Sequence, residues 1–357
     1  MTSTGLLRRR LANQQLSGHS YTRPEELLSW MGCIQAQDFA GAKWAIGNRI
    51  KGITDAAIEK DFSEGRILRT HILRPTWHFV CPADIGWMLR LTAPKIKAFN
   101  KGLHRRLGID EAILRRSRNI IVKALTGGGQ LTREQILALL RKGKIDTDDI
   151  RSNFLLMDAE LDGIICSGPR HGKQFTYALL EERVPKLQYL DEDAAIAELT
   201  RRYFVSRGPA TLPDFVWWSG LSLSNARKGI EMNRQSLTHE VTGGQACWFA
   251  AGMPPPSQPR KSAYLLPAFD EYTIAYKDRT DVLPLQHHKQ AGNGIFKPAI
   301  ILNGKIAGTW RRNDRKGAPL VELHPFTDLD DASQDLLSAA AARYEKFVNR
   351  TSTSLSA

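Results

Sequence analysis

The sequence predicts a mainly helical α+β protein in which three helix-turn-helix segments, each followed by a hairpin, precede a small β domain. Three observations predict this arrangement. Capped, apolar-periodic helices come in groups between residues 22 and 249, and each group ends in two short extended runs. After a proline-rich stretch at 253–261, the pattern changes to short β-rich runs separated by turns. The 357 residues, 42% of them hydrophobic, are enough for two or three domains with buried cores.

Residues 126–180 have the layout of a winged helix, two helices and then a hairpin. Thr132 and Gln135 have the spacing of a capping box, which opens the first helix. The second helix ends at a glycine before a short apolar strand. The turn at 167–173 contains glycine and three basic side chains, and an alternating strand returns from it. We predict that this turn is a basic wing.

The same order of elements recurs twice. Between 192 and 249, three helices, the last capped by Ser222, precede a hairpin with a glycine turn. Between 22 and 81, three helices precede two extended stretches, and Thr22 with Glu25 predicts a capping box at the first helix. The register differs between the copies, so we interpret the recurrence as a structural repeat without sequence identity.

The C-terminal region has a β-rich sequence pattern, unlike the helix-rich region before it. Asn303-Gly304 between two β-rich runs is a strong hairpin signal, and 330–349 reads as one amphipathic helix. The last residues form a Ser/Thr tail that we predict to be disordered. The predicted segments are 1–125 (N-terminal helix, first winged helix and a basic helical segment), 126–190 (second winged helix), 191–250 (third winged helix), 262–350 (β domain with a terminal helix) and 351–357 (tail).

Charge and cysteine usage narrow the function classes. The net charge of +13 favours a polyanion partner, either nucleic acid or an anionic membrane face. The four cysteines have no metal-site or disulfide spacing, and no P-loop or nucleophile elbow is present, so we expect no metal and no cofactor. Neither a secretion signal nor a run of 18 apolar residues occurs, so we expect a cytoplasmic protein without a membrane span.

Several blocks of the sequence resemble, in the same order, those of the HTH_42 family of winged-helix proteins, also called AlkZ-like or YcaQ-like. The resemblance covers roughly residues 5–345, and the blocks that carry it are IQAQDF at 34–39, AKWA at 42–45, RTHILRPTWHFV at 69–80, LPAFDEY at 266–272, YKDR at 276–279 and GTWRR at 308–312. It implies three tandem winged helices, a small C-terminal β-barrel and a basic concave channel. It also implies bacterial DNA glycosylases that excise N-alkylated purines and unhook crosslinks.

The resemblance places the chemistry at Gln35 and Gln37. The AlkZ-like branch carries Gln-x-Gln, as this chain does, whereas the YcaQ-like branch has Gln-x-Asp. On an extended segment, residues two apart share a face, so both amides could converge on one ligand. The alternative interpretation of these residues alone is that the glutamines cap a helix end or lie in solvent.

Other polar and aromatic side chains near these blocks are candidates for the pocket. For Asp38 we favour a helix N-cap for 39–47 over catalysis. The spacing of His71 and His78 fits no metal site, so they belong either to a plain wing strand or to the pocket lining. The full set of pocket candidates is Asp38, Trp44, His71, Arg74, Thr76, Trp77 and His78.

Two acids further along the chain, Asp270 and Glu271, could also be read as a catalytic pair. Adjacent residues on a strand face opposite ways, however, and so cannot act together on one ligand. We therefore expect salt bridges from these carboxylates to Lys277 or Arg279.

Basic residues cluster in 95–123, with further ones on the predicted wing and after the Asn-Gly hairpin. We predict that they contact phosphates of duplex DNA largely independently of sequence, with a solvated helix face as the alternative for 95–123. The candidates are Arg105, Arg106, Arg115, Arg116, Arg118, Arg170, Lys173, Arg311 and Arg312.

The leading hypothesis is a monofunctional DNA glycosylase in which Gln35 and Gln37 position the attacking water. Apart from Lys43, no lysine is near the pair in sequence, which argues against a Schiff-base lyase step. The alternative is a non-catalytic winged-helix DNA-binding protein or transcriptional regulator. No heptad helix is apparent, so we expect a monomer, associated with the nucleoid.

Overall fold

A computed structural model describes residues 2–148, 150–253, 261–315 and 319–349. The predicted tail at 351–357 and most of the proline-rich stretch lie outside the described residues. Within the described ranges, no helix is both long enough and apolar enough to cross a membrane.

The fold mixes helices and strands, with more residues helical than extended. The helices are α1 (Ser3–Asn13), α2 (Pro24–Met31), α3 (Phe39–Gly47), α4 (Asp55–Ser63), α5 (Pro82–Arg106), α6 (Glu111–Leu125), α7 (Arg133–Lys142), α8 (Arg151–Leu161), α9 (Leu180–Arg183), α10 (Glu192–Arg207), α11 (Leu212–Ser219), α12 (Leu223–Met232), α13 (Glu271–Ile274) and α14 (Asp331–Asn349). The strands are β1 (Ile34–Gln35), β2 (Leu68–Leu73), β3 (Thr76–Val80), β4 (Leu131–Thr132), β5 (Ile165–Ser167), β6 (Thr176–Leu179), β7 (Leu237–Thr242), β8 (Gln245–Ala250), β9 (Ala263–Leu266), β10 (Ala299–Leu302), β11 (Lys305–Arg312) and β12 (Val321–Pro325).

The chain divides into two compact units, residues 1–59 together with 196–357, and residues 60–195. The first unit is discontinuous in sequence, whereas the predicted segments follow one another along the chain. Those segments, and the number of winged-helix units, stay predictions.

Helix caps follow the sequence closely, with one correction. At α7 the predicted box is present, with Gln135 N donating to Thr132 Oγ1 at 3.3 Å and Thr132 N donating to Gln135 Oε1 at 2.8 Å. At α2 the predicted box of Thr22 and Glu25 is wrong by one residue. Pro24 occupies the first helical position, so the cap is Arg23, whose backbone N–H donates to Glu26 at 3.3 Å.

In the unit 60–195, helices α6, α7 and α8 enclose one apolar core with a small antiparallel sheet. The strand order is β4-β6-β5, and β5 and β6 form the predicted hairpin, with Ile165 opposite Leu179. Each element contributes buried side chains to the core, including Ile121, Leu125, Ile136, Leu140, Leu155, Ile165 and Leu179. The hairpin of β2 and β3 and the long helix α5 belong to the same unit.

In the other unit, the predicted helices and hairpin between 192 and 249 are present as α10, α11, α12, β7 and β8. Four aromatic side chains pack at the centre of this region with ring centroids 5.1 to 6.5 Å apart, and they are Tyr203, Phe204, Phe215 and Trp218. All four are fully buried. This packing fixes the facing sides of α10 and α11.

The C-terminal strands form an antiparallel sheet in the order β12-β11-β10-β9. Asn303 and Gly304 join β10 to β11 with φ of +51° and +87°, as a tight two-residue hairpin turn requires. Among the described residues β9 and β12 are the two edges, so the sheet is open and the expected barrel is not closed. α1 covers this sheet, with Leu7 packed among Leu266 and Ile301.

Candidate active site around Gln35

The segment that carries Gln35 and Gln37 lies between the end of one helix and the start of the next. α2 ends at Gly32, whose φ of +76° lets the chain turn into the short extended stretch β1. Asp38 then begins α3, accepting a hydrogen bond from Gly41 N at 3.1 Å, so its predicted role as the N-cap is confirmed. Gln35 is buried, with 7% of its surface exposed, whereas Gln37 is exposed.

A buried carboxylate, Glu271, holds the backbone of Gln35. The Gln35 N–H donates to Glu271 Oε1 at 2.9 Å. The other oxygen, Oε2, accepts from Arg207 Nε at 2.9 Å, from Arg207 Nη2 at 2.7 Å and from Trp218 Nε1 at 2.9 Å. Both members of the Arg207–Glu271 ion pair are fully buried. The Glu271 charge is therefore compensated by one guanidinium and by two neutral N–H groups.

Arg207 donates hydrogen bonds to backbone carbonyl groups of the same segment. Its Nη1 donates to Met31 O at 2.6 Å, and its Nη2 donates to Cys33 O at 2.9 Å. The guanidinium carbon also lies 4.3 Å from the centre of the Trp218 ring, so the packed aromatic cluster restrains it. One ion pair thus contacts the backbone at residues 31, 33 and 35.

Asp270 forms a second buried ion pair beside the first. Arg49 donates to both of its carboxylate oxygens at 2.8 Å, and neither side chain is exposed. Asp270 also caps α13 by accepting from Tyr272 N at 2.8 Å. The expected partners Lys277 and Arg279 are therefore wrong for Asp270 and Glu271. The residues begin a short helix inside the unit instead of lying on a strand, and their cations come from distant parts of the chain.

Tyr276 contacts the C-terminal end of α10, where Arg207 lies. The Tyr276 hydroxyl donates to Arg207 O at 2.7 Å and accepts from Gln14 Nε2 at 3.0 Å. Burial raises the pKa of Tyr276 to about 12, so the phenol keeps the proton that it donates. The C-terminal end of α10 is therefore fixed through both its side chain and its backbone.

Trp44 and Lys43 lie close to the glutamines in sequence, and both side chains contact other parts of the same unit. Trp44 is buried, and its indole N–H donates to Leu265 O at 2.6 Å. The Lys43 ammonium lies 2.9 Å from an Asp55 oxygen and 2.6 Å from a Glu59 oxygen. Two carboxylates therefore engage this amine.

In the unit 60–195, His71 and Trp77 share a partner that the sequence did not reveal. His71 Nδ1 pairs with the buried carboxylate of Glu160, and Trp77 Nε1 donates to the other Glu160 oxygen at 3.4 Å. The His71 and Trp77 rings lie 4.4 Å apart, and the Arg69 guanidinium lies 4.4 Å from the Trp77 ring centre. The indole therefore contacts both the His71 ring and the Arg69 guanidinium.

The remaining pocket candidates shape the turn and strands of the β2–β3 hairpin. Arg74 has a φ of +54° in the turn, and Thr76 donates to Leu73 O at 3.1 Å. His78 is buried, and its Nδ1 lies 2.9 Å from Thr76 O. Across the described residues, no three His, Cys, Asp or Glu side chains come together as a metal site.

Some of the predicted DNA-contacting cations are presented to solvent on α5, α6 and the loop between β5 and β6. The exposed ones are Arg105, Arg106, Arg115, Arg116 and Lys173. Arg116 also donates to Gly143 O, and the Arg170 guanidinium lies 5.1 Å from the Phe175 ring centre. We call three of these exposed residues, Arg105, Arg106 and Arg115, the basic face.

Carboxylates accompany the other predicted cations. Arg118 forms ion pairs with three acids: Glu111 at 2.8 Å, Asp158 at 3.1 Å and Asp162 at 3.1 Å. Burial raises the pKa of Asp158, although Lys97 and Arg118 act in the opposite direction.

The two arginines of the C-terminal sheet also form ion pairs with carboxylates. Arg311 makes two hydrogen bonds of 2.8 Å to Glu322, and Arg312 donates to Asp314 at 2.6 Å. The positive charge of these side chains is therefore partly neutralised within the protein.

Sequence reasoning did not identify Arg207, Trp218 and Glu271 as a support for Gln35. Glu271 stands in one of the blocks that carry the family resemblance, which was a signal of its importance. Its partners, however, are 53, 64 and 236 residues away. No periodicity or local spacing connects residues so far apart.

Three comparisons with known proteins bear on the family and the fold. A family model described as DNA glycosylase AlkZ-like matches residues 28–347. An interstrand DNA cross-link repair glycosylase of Streptomyces sahachiroi is 22% identical over 345 residues, which cover 90% of each chain. The solved structure of the Streptomyces sahachiroi DNA glycosylase AlkZ aligns with a TM-score of 0.80 at 20% identity, over 97% of this chain and 96% of that one.

These findings define the class of protein as a DNA glycosylase, a hydrolase that acts on N-glycosyl bonds. Within that class the chain belongs to the AlkZ-like DNA glycosylase family, since the family model covers most of it. The expected resemblance is therefore confirmed.

Proposed function

We propose that the protein is a monofunctional glycosylase that hydrolyses the N-glycosidic bond of cationic N-alkylated purines in duplex DNA. In this proposal Gln35 and Gln37 hold the water that attacks C1′. The observation that carries it is the anchoring of Gln35: a residue on a two-residue strand is tied by its own N–H to a fully buried carboxylate. Gln37, two residues on, is exposed to an incoming ligand.

The chemistry suits amides because the substrate already carries the charge that an acid would otherwise provide. Glutamine is neutral, and its amide offers two donors and an acceptor, so it can orient a water but cannot act as a general base. Glycosidic hydrolysis passes through an oxocarbenium-like transition state and usually needs a protonated leaving group. A purine alkylated at N7 or N3 is cationic and leaves as a neutral base. Undamaged purines lack that advantage and should react far more slowly.

Bulky adducts and crosslinks are the substrates that we propose within this class. The Streptomyces sahachiroi relative is named for interstrand crosslink repair and aligns along nearly its whole length. The Gln-x-Gln sequence of this chain matches the AlkZ-like branch, for which the resemblance implies such lesions.

The product that we propose is an abasic site in an intact strand. A lyase step needs a neutral amine that attacks the sugar, forming a Schiff base. Lys43 is the lysine near the pair in sequence, and two carboxylates hold its ammonium. It is therefore poorly suited to act as that nucleophile.

DNA affinity is assigned to phosphate contacts from exposed cations, above all from the basic face. Such contacts position the duplex and carry no sequence information. We propose that, within the unit 60–195, Glu160 orients the rings of His71 and Trp77 and that these two side chains contact the DNA.

The test is single-turnover release of 7-methylguanine and of a bulkier N-alkylpurine from duplex DNA. The double variant Gln35→Ala, Gln37→Ala should lose release while keeping DNA affinity, whereas Gln188→Ala, at an exposed position, should behave as wild type. Release without strand cleavage and without borohydride trapping supports the monofunctional reaction. Tight DNA binding with no release from wild type would instead favour a non-catalytic DNA-binding protein.

A further inference from the structure

We infer that Glu271, through its ion pair with Arg207, is a positioning residue that sets the orientation of Gln35. This inference rests on the proposed function, because it assigns the support for one of the two proposed water-holding amides. Glu271 acts on the reaction only through the backbone of Gln35.

The ion pair does for this segment what a neighbouring strand does in a sheet. Alternate residues of an extended chain present their N–H and C=O groups at the same edge. Here Arg207 Nη2 donates to Cys33 O at 2.9 Å and Glu271 Oε1 accepts from Gln35 N at 2.9 Å. The side chains of one ion pair thus supply both the donor and the acceptor for that edge. Sliding of this segment along its axis, or rotation about it, would break these two hydrogen bonds.

The hydrogen bonding of the guanidinium is complete, which leaves Arg207 a single arrangement. An arginine has five N–H donors. Arg207 uses all five. Two donate to Glu271 Oε2, and one each donates to Met31 O, Cys33 O and Ser206 Oγ, the last at 2.8 Å. Since every donor is used, a shift of the guanidinium would break at least one buried hydrogen bond, which is costly.

Stability alone does not account for placing an ion pair here. A buried ion pair often contributes no more stability than well-packed apolar side chains of similar volume, because both charges must be desolvated. A site that works by orientation has a different requirement. A misplacement of about 1 Å can cost about 10²-fold in rate. The pair therefore makes most sense as a device for geometry.

The chain contains a matched control in the adjacent pair, Arg49–Asp270. Both of its members are also fully buried, and its carboxylate stands next to Glu271 in sequence. Arg49 donates to Gln14 and to Ala45 O, at a different part of the backbone from the Gln35 segment. Substitutions in the two pairs should disturb folding similarly and differ in their effect on Gln35.

The experiment compares Glu271→Gln with Asp270→Asn in the full-length protein. For each variant, the single-turnover release rate at saturating alkylated duplex DNA and the DNA Kd are measured well below the melting temperature. In Glu271→Gln the new NH₂ group faces either the Gln35 N–H, which loses its acceptor, or Arg207 and Trp218, whose three hydrogen bonds to Oε2 are lost. We expect the release rate to fall about 10²-fold with Kd unchanged, and Asp270→Asn to keep the wild-type rate.

A milder variant keeps the inference testable where Glu271→Gln fails to fold. Trp218→Phe removes one donor to Glu271, keeps both members of the ion pair and leaves a smaller aromatic ring at this position, and we expect a several-fold fall in rate. The inference is overturned if Glu271→Gln, or failing that Trp218→Phe, releases base as fast as Asp270→Asn.

The design separates failure of the inference from failure of the proposed function. Release by Gln35→Ala, Gln37→Ala at the wild-type rate overturns the proposed function and the inference with it. Loss of release in the glutamine variant, with full release in the Glu271 and Trp218 variants, overturns the inference alone.

Discussion

The backbone around Gln35 and the basic face use charge in opposite ways. At Gln35 the charges are buried and each is matched: Glu271 by Arg207, and Asp270 by Arg49. The basic face, on the end of α5 and on α6, presents its guanidinium groups to solvent. Buried pairs fix positions, which catalysis by orientation needs, whereas exposed cations attract phosphates without a fixed geometry. The proposed mechanism therefore assigns orientation and DNA affinity to separate groups of residues.

The largest effect is expected from Arg207→Met, which breaks the buried pair. The carboxylate of Glu271 would be left without its cation, and such a loss typically costs about 3–5 kcal/mol. Urea unfolding measures the change in free energy. Arg201→Met is the matched control on the same helix, because Arg201 is 43% exposed in its pair with Glu198. We expect it to cost less than about 1 kcal/mol.

A double variant sharpens this test of the buried pair. In Arg207→Met, Glu271→Leu no buried charge is left unpaired, so part of the lost stability should return. The rest stays lost because Gln35 N, Met31 O and Cys33 O lose their buried partners. The backbone contacts of the Gln35 segment would remain absent, and base release should stay impaired. Recovery of both stability and release would show that the pair serves packing rather than orientation.

The second effect is expected on DNA affinity, from neutralising the basic face. Each phosphate contact that is removed should lower the slope of log K against log salt by about 0.9. For Arg105→Ala, Arg106→Ala, Arg115→Ala combined, the expected result is weaker binding with an unchanged release rate at saturating DNA. Fluorescence anisotropy across salt concentrations measures the slope.

Arg118→Ala provides the contrast for that experiment. Arg118 already lies among Glu111, Asp158 and Asp162, so its charge is engaged within the protein. We expect a smaller change of slope than for any residue of the basic face, together with some loss of stability. A slope change as large as that of Arg115→Ala would show that an internal ion pair does not remove a cation from DNA binding.

A third, smaller effect concerns the pH dependence of stability at Asp158. Burial raises the pKa of this carboxyl in the folded protein above its ordinary value near 3.8. The unfolded chain therefore releases its proton first as pH rises, and the contribution of Asp158 to stability falls between the ordinary pKa and the raised one. Asp158→Asn removes that fall, so its stability relative to wild type should rise with pH through this window. Unfolding titrations from pH 3 upwards measure it, and a flat difference would contradict the expectation.

Much of the local structure was predictable because its causes act over a few residues. The capping box at α7, the Asp38 cap at α3 and the Asn303-Gly304 turn each depend on side chains next to the backbone that they order. Strand β12 was missed, since Glu322 and Pro325 within five residues weaken a strand pattern. The small C-terminal β-barrel was expected from resemblance, and among the described residues the strand order gives an open sheet.

The candidate site was predictable only in part. Gln35 and Gln37 came from a block of residues that resembles a family, whereas the support beneath Gln35 depends on residues 53 to 236 positions apart. For Asp270 and Glu271, local reasoning assumed a strand and nearby cations. The pairs that form bring charges together across the fold, and the energy of burial that selects them is not visible in one sequence.

The smallest effect is expected from Glu322→Gln, which releases Arg311 from its ion pair. The hydrogen bonds from Arg311 lower the pKa of Glu322, so at neutral pH this carboxylate is charged and engages the guanidinium. Removing it should raise DNA affinity about twofold at low salt, and screening should abolish the gain at high salt. Glu192→Gln makes the same change of net charge at an exposed position. An equal gain in both variants would mean that only net charge matters, whereas a gain confined to Glu322→Gln would place Arg311 among the residues that contact DNA.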